Sequence, residues 1–124
     1  MKPEIKYIEL KSGYNDDGPA WIGKVEFSKT GRTIYFNGHA FKGNGHGDCY
    51  DVLSGERYWI SGLKKDSTNR HWAGKGKIMI DRSVINEYLK YKEWNSLDPK
   101  CFDIVDIKPT DKQYFTKIEN DILE

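Results

Sequence analysis

Cysteine is scarce in this chain. Among 124 residues there are two, Cys49 and Cys101, far apart and outside any C-x-x-C pair. So few thiols build neither a disulfide framework nor a thiolate zinc site. No apolar stretch follows Met1-Lys2-Pro3-Glu4-Ile5-Lys6 to suggest export, so two free thiols in a reducing, cytoplasmic setting are expected. Long hydrophobic runs are missing as well, and without 18 consecutive apolar residues no membrane-spanning helix is expected. Charge of one sign is also lacking. Twenty Lys and Arg stand against 19 Asp and Glu, leaving +1, so no overall field selects a polyanion or a polycation.

What the chain has instead is aromatics: four Trp, eight Tyr and five Phe, spread along its length. They offset a mean hydropathy of -0.78 and argue for a folded chain rather than disorder. The length suits one domain, residues 1–124. Residues 1–92 carry 16 cations and 11 acids, whereas 93–124 carry four and eight. That split predicts a core over 4–92 and an acidic C-terminal extension over 93–124.

Alternation of period two dominates the first 80 residues. Trp21, Gly23, Val25 and Phe27 share one face and Ile22, Lys24, Glu26 and Ser28 the other; Lys29-Thr30-Gly31-Arg32 then turns the chain into Thr33-Ile34-Tyr35-Phe36. A second hairpin joins Cys49–Val52 to Arg57–Leu63 through Leu53-Ser54-Gly55-Glu56. Asn37-Gly38 is a tight-turn dipeptide before a short strand at His39-Ala40-Phe41. Ile5 to Leu10 opens the set and Lys77-Ile78-Met79-Ile80 closes it, giving five or six strands. A helix is predicted near residues 82–91, capped by Asp81 or Ser83, with Val84 and Tyr88 on one face. Phe102 to Ile107 suggests one more strand, and Phe115, Ile118 and Ile122 have helical spacing. The fold expected is mainly β: a small, curved antiparallel barrel of Src-homology-3-like type with an α/β C-terminal extension. Closure would remove exposed sheet edges. The alternative is an open α+β sheet.

Motifs for chemistry are thin. Gly43-Asn44-Gly45-His46-Gly47 brings its third glycine one residue early for a dinucleotide fingerprint and precedes a strand, so it reads as a flexible hairpin loop. Gly74-Lys75-Gly76 lacks both the first glycine and the Ser or Thr of a P-loop. The spacing of His39, His46, Cys49 and His71 matches no common zinc pattern, and no metal or cofactor is implied. A small hydrolase centred on His39, His46, Cys49 or His71 is the alternative function, since a Cys nucleophile needs a neighbouring base. The fullest signal lies in residues 64–77: Lys64, Lys65, Arg70, Lys75 and Lys77 oppose only Asp66, and His71 and Trp72 stand among them. Cations grip phosphate and an exposed aromatic ring stacks on a base. This aromatic-basic face points to a non-catalytic binding module whose partner is a protein surface or a weak phosphate or nucleic-acid contact, away from membranes.

The stretches Asp16–Gly23, Ser28–Gly38, Tyr58–Lys65 and Arg70–Gly74 resemble a family of small uncharacterised bacterial proteins, over roughly residues 5–92. Some of its members carry the name deoxyxylulose-phosphate synthase. That enzyme is a large thiamine-diphosphate protein, and 124 residues cannot build its two-domain cofactor site. The resemblance therefore implies a shared core and a variable tail, with no catalytic residues to carry over.

Overall fold

Strands form where β-branched and aromatic residues alternate with polar ones: β1 (Glu4–Leu10), β2 (Ala20–Phe27), β3 (Thr33–Phe36), β4 (His39–Gly45), β5 (Asp48–Asp51) and β6 (Arg57–Ser61). The computed structural model describes residues 2–13, 17–45, 47–66, 68–70 and 76–123. Each of these strands pairs antiparallel with the next, and β1 pairs with both β6 and β2, so the six close into a ring. The protein is mainly β, a closed small barrel of Src-homology-3-like type. The alternative of an open sheet is thereby corrected, because β1 uses both of its edges and leaves the ring no gap.

The ring encloses one residue or more from every strand: Ile8, Val25, Phe36, Phe41, Cys49, Tyr58 and Ile60. Gly23 lies on the same buried layer, where a Cβ would come within 2.6 Å of the Phe36 ring. Glycine there lets β2 approach that ring. Asn37 and Gly38 both take positive φ, 51° and 81°, which gives β3 and β4 the tight primed turn anticipated from the dipeptide.

The glycine-rich segment departs from the expected loop. β4 runs through Gly45 with a bulge after Gly43, and Gly45 pairs with Asp48, so ladder hydrogen bonds hold what composition marked as loose. Residues Lys77–Ile80 also behave differently from a closing strand. β7 (Ile78–Asp81) lies parallel to β2 at Trp21 and Ile22, an edge left vacant because β3 pairs only at Glu26 and Phe27. β8 (Phe102–Val105) then adds parallel to β7.

Outside the ring a second core forms. Tyr7 and Ile22, partners in register, face away from Ile8 and Trp21 and pack with Ile78, Ile80, Val84, Tyr88 and Phe102. Asp81 accepts from the Ser83 N–H to start a 3-10 turn (Arg82–Val84) that leads into α1 (Ile85–Lys92), and Glu93 ends it in the left-handed conformation. A third cluster joins Tyr35 and Ala40 of the β3–β4 hairpin to Phe115 of α2 (Lys112–Leu123). The charge asymmetry has a local use here, since Lys77 meets Asp103 and Arg82 meets Asp106 across the junction with the extension.

Among the described residues of the extension, Phe102 and Phe115 are buried, but none of the six ring strands comes from it. Removing residues 111–124 is expected to preserve cooperative unfolding and lower the Tm by about 10 °C, from the loss of one buried Phe. Ending the chain at Lys92 should lower it further with cooperativity retained. Thermal denaturation followed by circular dichroism checks both; a broad, non-cooperative melt would make the extension part of the folding core.

Candidate functional site

Among the described residues of the 64–77 stretch, the Arg70 side chain and the main chain of Lys64 and Lys65 serve to hold the chain. Arg70 is buried, its guanidinium donating to the Gly18 carbonyl at 2.9 Å and the Lys77 carbonyl at 3.3 Å. The carbonyls of Lys64 and Lys65 accept from Nζ of Lys92, at 2.7 and 3.1 Å. Burial lowers the pKa of that Lys92 ammonium, and nearby Asp66 opposes the shift. Lys65 Nζ lies 5.3 Å from the centre of the Tyr91 ring, and Lys77 pairs with Asp103. Lys64 and Lys65 are exposed. His71, Trp72 and Lys75 lie outside the described residues, as does His46. Of the seven sequence candidates, the structure thus leaves Lys64 and Lys65 exposed, Lys65 over the Tyr91 ring, and turns Arg70 inward.

Cys49 sits in β5 with its thiol donating to the Tyr58 carbonyl. Burial, with Asp48 adding to it, pushes the thiol up to about 12, so it is protonated at neutral pH and packs as a small apolar group. His39 Nδ1 lies 2.8 Å from Asp51 Oδ2, while Asp51 Oδ1 accepts from the N–H groups of Leu53 and Ser54. The pair ties β4 to the turn after β5. Among the described residues no three His, Cys, Asp or Glu side chains gather as a metal site, and no helix is long and apolar enough to cross a membrane.

The arrangement with most chemical capacity lies elsewhere, at the turn between β2 and β3. Gly31 takes φ 75° there, and the Ser28 and Thr30 oxygens accept from the N–H groups of Thr33 and Arg32. The two hydroxyls lie 3.5 Å apart, so at most one proton passes between them and at least one is left to donate. Register places Lys42 of β4 opposite Thr33. The fourth side is α2. The chain reaching it is fastened to the β3–β4 turn, with Lys108 N–H donating to the Asn37 side chain at 3.0 Å and Gly38 N–H to the Thr110 hydroxyl at 2.8 Å. Asp111 then accepts from the Tyr114 N–H as a helix cap, and Phe115 docks 6.4 Å from the Tyr35 ring.

The result is a groove of about 630 Å³ that brings together Lys29, Arg32, Lys42 and Lys112 over Phe27 and Tyr35, with no carboxylate in its lining. Lys112 reaches outward to pair with Glu26. In a smaller recess of about 390 Å³, Glu4 and Glu87 flank Tyr91, and both carboxylates already pair with Lys6 and Lys24. The sequence offered one local sign of the larger groove, two cations and a hydroxyl around Gly31. Lys42 and Lys112 have no sequence relation to that turn. Compared with protein families, curated proteins and solved structures, the chain matches none.

Two outcomes follow from the buried acids. Native protein treated with iodoacetamide at neutral pH is expected to take one label, at exposed Cys101, and a second only after denaturation; mass spectrometry of the intact chain reads both. Tyr58 and Tyr88 are also raised to about 12 by burial. The unfolded chain ionises these three groups first, at 9.0 for the thiol and 10.0 for the phenols, whereas the native state holds its protons to about 12. Stability should therefore hold below about pH 9 and fall between pH 9 and 12, as urea midpoints across that range would record.

Proposed function

We propose that this protein is a non-catalytic binding module that holds an anionic ligand in the groove between the β2–β3 turn and α2. One observation carries it: four cations from three separate parts of the chain line one cavity that contains no acid. The character is that of an aromatic-basic face, built from residues other than Lys64, Lys65 and Arg70. Lys29 and Arg32 are exposed and hold no ion pair among the described residues, so a ligand gains their charge without breaking a contact. A planar guanidinium donates two parallel N–H bonds to an oxyanion, with Lys29 as a compact second charge. Ser28 and Thr30 add a hydroxyl donor at the same edge.

Calorimetric titration with inorganic pyrophosphate tests this. Binding is expected at about 20 mM salt and to weaken markedly at about 150 mM, where the Debye length falls to about 8 Å. Arg32→Gln and Lys29→Gln should each weaken it about five- to ten-fold, or about 1 kcal/mol, while Lys64→Ala and Lys65→Ala leave it unchanged. No binding at low salt, or equal losses from all four variants, would overturn the proposal.

A further inference from the structure

We infer that the groove's ligand is a phosphomonoester dianion on a small organic molecule of nucleotide size, and that it binds in exchange for the Lys112–Glu26 ion pair. This rests on the anion-binding proposal above and goes further in naming the ligand chemistry and the contact it displaces.

Size points to an organic phosphate. A cavity of about 630 Å³ is far larger than a bare phosphate and lies within the range of small-molecule sites, roughly 300–1,000 Å³. Phe27, only half-buried, offers carbon surface that an inorganic ion would leave uncovered. Charge points to a dianion. Arg32 and Lys29 supply two positive charges at the turn, and a terminal phosphate has three oxygens to share among guanidinium, ammonium and hydroxyl. A phosphodiester offers half the charge and two free oxygens.

The exchange follows from where Lys112 stands. Its side chain lines the groove, yet its ammonium rests on Glu26, with both partners about half exposed at 46% and 42%. An exposed ion pair contributes little and is readily given up. The helix carrying Lys112 is held by other contacts, the Asp111 cap and the Phe115–Tyr35 packing. Lys112 can therefore change rotamer toward a ligand while α2 stays docked. A dianion in the groove competes with the single charge of Glu26 for the same ammonium, so the ion pair sets the threshold that a ligand must exceed.

The test titrates the full chain at about 20 mM salt with adenosine monophosphate, adenosine and inorganic phosphate, using wild type, Glu26→Gln, Lys112→Gln and the double variant. Adenosine monophosphate should bind at least five-fold tighter than either of its parts. Glu26→Gln should tighten it about three- to five-fold, the size of an exposed ion pair, and this gain should vanish in the Lys112→Gln background. Adenosine monophosphate binding no better than inorganic phosphate overturns the ligand class. Equal tightening with and without Lys112 overturns the exchange, since Glu26 would then act only as a repelling charge. In either case Arg32-dependent binding of pyrophosphate would leave the anion site standing, and its absence would remove both. Melting curves of the variants, expected to match wild type, keep a loosened α2 from imitating a lost contact.

Discussion

Two neighbouring strands, β1 and β2, have to bury apolar side chains on both of their faces, and the remaining architecture answers that demand. Inward, Ile8 and Trp21 join the interior of the ring. Outward, Tyr7 and Ile22 would lie bare to water if the chain ended at the barrel, at a cost of about 1.5–3 kcal/mol for each large side chain. α1 and the parallel strands β7 and β8 cover them with Val84, Tyr88, Ile78, Ile80 and Phe102. Glu9, next on the same outer row, is buried with them, its carboxylate held by the Tyr7 hydroxyl and the Lys11 ammonium. A ring this small is marginal by itself. The second core supplies what the first lacks.

The same logic at the β3–β4 hairpin creates the groove. Tyr35 and Ala40 form an outward apolar patch on the β3–β4 hairpin, and Phe115 covers it. Because that hairpin also grips the approaching chain through Asn37 and Gly38, α2 begins beside the β2–β3 turn and delivers Lys112 to the neighbourhood of Lys29, Arg32 and Lys42. Like charges gathered this way repel one another. Glu26 relieves part of that repulsion from just outside the lining, which is why the pair and the groove belong to one electrostatic unit.

Residues 64–77 show the converse. A dense run of cations suggested a contact surface, but Arg70 bonds main-chain carbonyls from two segments and Lys92 reaches over from α1 to hold the start of the loop. Burying an Arg requires such partners, and carbonyl oxygens are what a glycine-rich, loop-rich region offers. Charge counted along a chain does not separate a cation that meets solvent from one that ties two loops together.

The sequence by itself determined the local grammar of this protein. Alternation placed β1 to β3, Asn37-Gly38 imposed the primed turn, Asp81 started the helix, and the hairpin pattern put Cys49 in a strand, each set by neighbours a few residues away. Tertiary structure alone decided that β7 runs parallel beside β2, that Ile22 on one face of β2 is buried as fully as Val25 on the other, and that Lys29, Arg32, Lys42 and Lys112 share a groove. The physical reason is range. Backbone preference and alternation act over a handful of residues, whereas ring closure and the covering of two outer patches bring together side chains as distant as Lys29 and Lys112, whose proximity no local pattern encodes.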